Sequence, residues 1–467
     1  CFENFFGCLC ICCKFSYYNV YSKHSGFGGG YAQTPDDAWT MFKSMEFQNL
    51  VSWNSWFISE IEVITALIKS YANLGGHISG CYRIFHDTGS QPDIVSWTAL
   101  ISAFAEQDPE QAFLLFCQLH RQSYLPDWYT FSIALKASTY FATEQRAMDI
   151  HSQVIKEGFQ EDTVLCNALI HAYAWCGSLA LSKQVFNEMG CRDLVSWNSM
   201  LKSYAIHGQT KDAVELFQRM NVCTDSATFV VLLSACSHVG FVDEGVKLFN
   251  CMSDDHGVVP QLDHYSCMVD LYGGAGKIFE AEELIRKMPM KPDSVIWSSL
   301  LGSCRKHGKT PLAKSAADKF KELDQTIHWD IFTKACLIRN EMSDYKVRKE
   351  PGLSWVEIGK QVHEFGSGGQ YHPNTGNMGY VPELSLALYD TEVEHKEDQL
   401  LHHSKKMALV FAIMNEGIKI MKNIRICVDC HNFMKLASYL FQKEIAARDS
   451  NCFHHFKYAA CSCNDYW

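Results

Sequence analysis

The chain repeats itself, and that constrains its fold more than any other feature. The segments Val95-Ser-Trp-Thr-Ala-Leu-Ile101, Leu165-Cys-Asn-Ala-Leu-Ile170 and Val195-Ser-Trp-Asn-Ser-Met-Leu201 are variants of one phrase. Anchored on the residue before the Thr or Asn, the phrase recurs at Ile64, Trp97, Phe131, Cys166, Trp197, Phe229, Tyr265 and Trp297, at intervals of 33, 34, 35, 31, 32, 36 and 32 residues. Each anchor opens an apolar helical face. Trp97, Leu100, Ile101 and Phe104 fall at i, i+3, i+4 and i+7, as do Trp197, Met200, Leu201 and Tyr204, and Tyr265, Met268, Val269 and Tyr272. A second amphipathic stretch follows a Gly-containing turn, as in Ala213, Leu216, Phe217 and Met220 after Gly208. A helical hairpin of this size cannot bury its own stripe, so the units must stack into an all-α superhelical solenoid.

Composition agrees with a folded chain. Of 467 residues 47% are hydrophobic and 20% charged, which excludes global disorder. With 41 Lys+Arg against 52 Asp+Glu the net charge is −11, which argues against binding nucleic acid by indiscriminate phosphate attraction. A localised face that reads bases remains open. The 21 cysteines are too dilute for a disulfide scaffold; most are expected as buried apolar thiols and a few as metal ligands. The first residue is Cys1, so the natural start, with any targeting peptide, is expected to be missing. The Cys1–Tyr18 stretch, with Cys8, Cys10, Cys12 and Cys13, is short for a membrane span and carries Glu3 and Lys14; it reads as an irregular terminus rather than a metal cluster.

Off the apolar stripe, a polar residue follows most anchors: Thr65, Thr98, Ser132, Asn167, Asn198 and Ser266, with Val230 the exception. An Asp closes most units, at Asp93, Asp127, Asp162, Asp193, Asp225 and Asp293, with Gln261 the exception. Short polar groups at a fixed place on one face suit hydrogen bonds to base edges, one base per repeat. Helix capping explains the Asp equally well, but not the small polar residue after the anchor.

These units resemble the pentatricopeptide repeats (PPR) of plant organellar proteins. Unit lengths of 34 (Ile94–Asp127), 35 (Trp128–Asp162) and 31 (Thr163–Asp193) recur as 32 (Leu194–Asp225), 36 (Ser226–Gln261) and 32 (Leu262–Asp293), similar to the family's alternation of ordinary, long and short repeats. The organisation expected is an incomplete repeat region over 1–60, the array over 61–293, an extension segment over 294–358, and a small α/β zinc-binding, cytidine-deaminase-like domain over 359–467. By the family's recognition rule, Thr65/Asp93 and Thr98/Asp127 should favour G, and Asn167/Asp193 and Asn198/Asp225 pyrimidines. The long repeats at Ser132 and Val230 should discriminate poorly.

After Ile358 histidine and cysteine crowd together. Cys427-Val-Asp-Cys430 has the spacing with which two thiolates grip one tetrahedral zinc, and His403 upstream supplies a third ligand. A second set remains in His431, Cys461 and Cys463 with His454 or His455; Cys452 reads as a buried apolar residue. A redox Cys-x-x-Cys lacks the strand–helix surroundings it would need. The layout resembles zinc deaminases, in which a Glu moves protons while zinc-activated water attacks C4 of cytosine. The tail is also similar to the DYW domain of plant PPR proteins, ending Asp465-Tyr466-Trp467 and sharing Lys422-Asn-Ile-Arg-Ile-Cys427, Cys430-His431, Arg448-Asp449 and Phe453-His-His-Phe456. The resemblance implies two Zn²⁺ per chain and single-stranded organellar RNA as partner. It implies C-to-U editing in mitochondrion or chloroplast, the mitochondrion slightly favoured, and no membrane association.

Three departures qualify this. The family's His-Ser-Glu reads His403-Ser404-Lys405, so the proton-relay carboxylate is replaced by a cation and deamination in cis should be impaired. Tyr371–Tyr380 and His328–Arg348 are shorter than the family's connection and second extension hairpin. The leading expectation is therefore an editing-site recognition protein whose deaminase activity is supplied by another editing factor. A self-sufficient zinc-dependent cytidine deaminase and a non-editing PPR protein that stabilises or processes transcripts are the alternatives.

Overall fold

The computed structural model describes residues 78–87, 92–141, 144–307, 310–323, 353–358, 361–366, 403–414 and 419–466, together with Thr65, Ile68, Lys69 and Ala72. The sequence readings of Cys1–Tyr18, His328–Arg348 and Tyr371–Tyr380 fall outside these residues. The chain divides into two compact units, one comprising Cys1–Tyr140 with Ile150–Phe159, the other Phe141–Asp149 with Gln160–Trp467.

The first unit contains helices α1 (Ile78–Asp87), α2 (Ile94–Gln107), α3 (Pro109–Arg121) and α4 (Trp128–Ser138), and most of α5 (Gln145–Lys156). Trp97, Leu100, Ile101 and Phe104 are buried, as the periodicity requires. Asp127 starts α4 by accepting the Thr130 N–H at 2.7 Å, which satisfies one of the orphan donors at a helix start.

In the second unit the hairpins continue as α6 (Thr163–Trp175) with α7 (Leu179–Glu188), α8 (Leu194–Ile206) with α9 (Thr210–Gln218), and α10 (Ser226–Val239) with α11 (Val242–Asp254). They end with α12 (Leu262–Gly274) and α13 (Ile278–Lys287), then α14 (Ser294–Lys306) and α15 (Thr310–Leu323). Each first helix packs on its own second helix and on the first helix of the next hairpin, along α6, α8, α10, α12 and α14. Stacked hairpins are what the repeat demanded. Gly208 and Gly276 end first helices in the left-handed region, where a side chain would be strained. The Gln261 unit keeps its cap through His264, whose Nδ1 accepts the Gln261 N–H while Nε2–H donates to Ser226 O, both at 3.0 Å.

A six-stranded mixed sheet forms the rest, ordered β2-β1-β3-β4-β5-β6. Its strands are β1 (Leu353–Ile358), β2 (Gln361–Gly366), β3 (Lys419–Lys422), β4 (Ile445–Arg448), β5 (Phe453–Lys457) and β6 (Ala460–Cys461). Only β3 and β4 pair in parallel, the crossover between them carrying helix α17 (Val428–Leu440). Helix α16 (Ser404–Met414) packs on β1, β2 and β3. Leu409, Ile420, Phe433, Met434, Ile445 and Phe456 centre the core.

The sequence boundary after Ile358 runs through a hairpin. β1 pairs with β2 from Leu353↔Gly366 to Ile358↔Gln361 and with β3 at Trp355↔Met421, so backbone bonding places these extension residues in the tail's sheet. The sheet also packs on the repeats of its own unit. Arg448 Nη1 donates to Trp175 O at 2.7 Å, and Lys419 Nζ to Glu144 at 2.6 Å and Cys176 O at 3.3 Å. These cations meet carbonyls at the end of α6, the favourable pole of a helix dipole. Phe453 stacks on His207 with ring centroids 4.7 Å apart, and Tyr466 donates its hydroxyl to Leu271 O with its ring against Gly240 and Gly274.

Candidate metal centres and nucleic-acid interface

Helix starts bring the polar repeat residues together. Asp93, Asp127, Asp162, Asp193, Asp225 and Asp293 each accept the backbone N–H three residues on, at 2.7–3.0 Å, so all six are caps. The post-anchor residue then meets the next cap. Asn167 Nδ2 donates to Asp193 Oδ1 at 3.4 Å and Asn198 Nδ2 to Asp225 Oδ1 at 3.3 Å. Thr98 reaches Asp127 through Thr130, with contacts of 2.7 and 2.6 Å. Ser132 and Ser266 are half-buried at the equivalent place, and Thr65 is buried with its hydroxyl unpartnered. Burial opposes ionisation of Asp193 and Asp225, but hydrogen bonds from Ser196 and Asn167, and from Thr228 and Asn198, hold both carboxyls below the usual range. They are anionic acceptors set beside amide groups. Such pairs offer both a donor and an acceptor to a base edge.

In the sheet domain the histidines and cysteines form two groups. His403 lies just before α16, and Cys427 caps α17, receiving the Cys430 N–H at 3.4 Å. Contrary to the sequence expectation, Cys427-x-x-Cys430 does open a helix after a strand, between β3 and the parallel β4, and it is His403 beside both sulfurs that favours a metal over a redox pair. One helical turn thus puts both sulfurs beside the imidazole: His403 Nδ1 is 3.3 Å from Cys430 Sγ and 3.4 Å from Cys427 Sγ. Asp429 joins this group, 4.0 Å from His403 Nδ1, while pairing with Lys406 at 2.6 Å; both charged side chains are wholly buried. The second group holds His431 Nε2 3.3 Å from Cys463 Sγ, Cys463 3.2 Å from Cys461, and Cys461 3.7 Å from His454 Nδ1. All four residues are buried.

The donor sets suit zinc. A tetrahedron with bonds of about 2.0–2.3 Å has edges of about 3.3–3.8 Å, close to the spacing in both groups. In each pair the contact between the sulfurs splits the two thiols, pushing Cys427 and Cys463 down and Cys430 and Cys461 up. The second group has four ligands and is closed. The first would offer three, its fourth member Asp429 being paired with Lys406, with the partly exposed His403 and exposed Cys427 on its open side.

Of the two neighbouring histidines, His454 faces the second group. His455, on the other face of β5, lies with Nε2 3.1 Å from His207 Nδ1. His207 Nε2–H donates to Ala174 O, and burial, then His455, pushes the His207 pKa down to about 3. Cys452 is buried, as read, but its sulfur is 3.6 Å from His454 Nε2, on the side away from Cys461.

Lys405 sits on the first turn of α16, fully buried, and its amine has no hydrogen-bond partner among the described residues. Burial, helped by Lys422, pushes it down to about 7 against the pull of Asp449, Cys430 and Cys427. Asp429, Lys406, Asp449, Arg448, Lys419 and His207 carry no role that the sequence motifs mark. A buried Lys–Asp pair has no local sequence signature, and the docking residues act across long chain separations.

Comparison with known proteins agrees with this geometry. Residues 379–467 match the DYW family of nucleic acid deaminases, and residues 92–138, 149–192, 195–223, 227–256 and 263–291 match PPR repeat families. A pentatricopeptide repeat-containing protein of Arabidopsis thaliana is 51% identical over 451 residues, which cover 88% of this chain and 60% of the relative. The chain thus spans about three fifths of that relative's length. A second Arabidopsis thaliana protein, mitochondrial by name, is 36% identical over 449 residues, covering 88% of this chain and 70% of its own. Other similar proteins from that plant are named chloroplastic. Among solved structures, a maize pentatricopeptide repeat protein has 18% identity and a TM-score of 0.46, covering 68% of this chain and 47% of its own. No described helix is long and apolar enough to cross a membrane. The chain belongs to the plant pentatricopeptide repeat proteins that carry a C-terminal DYW deaminase domain.

Proposed function

We propose that the protein binds single-stranded RNA in a plant mitochondrion or chloroplast, selects a C-to-U editing site through its repeats, and is impaired in deaminating that site itself. The base-reading part rests on the Asn167/Asp193 and Asn198/Asp225 pairs, each an amide beside an anionic cap at the same place on successive helices. His403, Cys427 and Cys430 would hold one zinc, and His431, His454, Cys461 and Cys463 a second. At the first site zinc would supply the Lewis acidity that activates water for attack on C4 of cytosine.

Lys405 is the observation that carries the impairment. The reaction needs a group that takes a proton from water and returns protons to the base and the leaving amine. At position 405 a buried amine, pushed down to about 7 and without hydrogen-bond partners among the described residues, stands near the two thiols instead. A nearby dication would disfavour its charged form further, so this amine does not replace a carboxylate that both takes and returns protons, and lost acid–base assistance costs roughly 10²–10⁴-fold in rate. An active deaminase from a partner would then complete the reaction on RNA held by these repeats.

Purified protein should bind RNA carrying the G-G-x-Y-Y order better than its reverse and leave the target cytidine unchanged. Lys405→Glu should raise conversion above background. Conversion by the unmodified protein, not improved by Lys405→Glu, would defeat the impaired reading. It would favour Asp429, the carboxylate in the first group, as relay, and Asp429→Asn should then abolish it. Equal affinity for the reversed RNA would defeat the base-reading part.

A further inference from the structure

Asp449 follows β4 and its side chain is almost wholly buried. Its Oδ1 accepts the N–H groups of Asn451 at 2.9 Å and Cys452 at 3.1 Å. Its Oδ2 accepts the N–H of Ile426 at 3.1 Å and faces His454 Nε2 at 3.4 Å. Ile426 directly precedes Cys427, a sulfur of the first group, and His454 belongs to the second. One carboxylate oxygen therefore touches the mounts of both groups.

On the two-zinc reading above, we infer that Asp449 is a positioning residue shared by both metal sites, fixing the His454 ring for one and the Ile426–Cys427 turn for the other. With Nε2–H given to Asp449, the Nδ1 lone pair is left toward Cys461, 3.7 Å away, where a second-site metal would take it. The same oxygen pins the backbone entering α17, whose first turn carries Cys427 and Cys430. The alternative, an ion held by Asp449, Cys452 and His454 Nε2, would compete with the three backbone N–H groups that already engage the carboxylate. His431 has its own outer carboxylate: Nδ1 lies 3.6 Å from Asp465, which Lys435 holds at 2.6 Å. Asp465 therefore serves one site, and Asp449 serves two.

Asp449→Asn preserves shape but offers one acceptor in place of two. Whichever way the amide turns, its NH₂ confronts N–H donors on one side. Zinc content and release to a chromogenic chelator would be followed on the full chain. The unmodified protein should hold two zinc ions. Asp449→Asn should speed both release phases roughly 10–100-fold, the usual effect of losing an outer-shell partner. Asp465→Asn should speed one phase only, and Cys452→Ala neither. Should Asp449→Asn fail to fold, ¹⁵N-histidine spectra of the unmodified zinc protein decide: His454 protonated at Nε2 and metal-bound at Nδ1 supports the inference, and the reverse overturns it. Two zinc ions with one phase or none affected by Asp449→Asn, or an equal effect of Cys452→Ala, overturns the inference alone. Fewer than two ions in the unmodified protein overturns the two-zinc reading and the inference together.

Discussion

The repeat array and the sheet domain differ in the polar groups they bury beside their apolar cores. In the array the interior is Leu201, Leu232, Leu233, Met268 and their like, and its buried polar side chains are mostly hydroxyls, amides and imidazoles such as Ser196, Thr228, Asn167 and His264. The sheet domain buries Lys405, Lys406, Asp429, His431, Asp449 and His454 within a far smaller fold. Apolar burial is non-directional and tolerant, so each hairpin needs only a neighbour. Buried charge is costly unless each group has its partner, so the sheet domain depends on a complete network and on what its ligands hold. One region is stable by addition, the other by completeness.

The largest test of this contrast is removal of the proposed closed metal site. Cys461→Ser with Cys463→Ser should unfold the sheet domain, since structural zinc in small domains contributes on the order of 10 kcal/mol. Helical circular dichroism from the array should survive, and loss of the whole signal in one step would break the comparison. In the array, Leu201→Ala opens a hole among Ala213, Leu232 and Leu233 and should cost about 2–5 kcal/mol by urea unfolding, with zinc content unchanged. The smallest effect is expected from Asp193→Ala. Losing this cap should cost about 1 kcal/mol, and should relax discrimination at the base read by Asn167 without lowering affinity uniformly.

The same contrast explains what could be read in advance. Trp97, Trp197 and Tyr265 announced the array because a hairpin repeats every 31 to 36 residues and each copy testifies to the others. Cys427 and Cys430 could be picked out as a pair of sulfurs brought together because both lie on one helical turn. The choice between His454 and His455 was not legible: neighbours on a strand face opposite ways, and only the pairing of β5 with β4 says which way. The β1–β2 hairpin was divided by a boundary drawn on composition, because strand pairing leaves no mark on composition. Tyr466 needs Gly240 and Gly274, and Asp449 needs Ile426, at separations no local pattern spans.

Hydrogen exchange with and without a zinc chelator tests the central claim most directly. Chelation should expose amides of β3, β4, β5 and α17 to exchange while those of α6, α8, α10 and α12 keep their protection, apart from the turns under Arg448 and Tyr466. Equal loss of protection in both regions, or none in the sheet domain, would contradict the account.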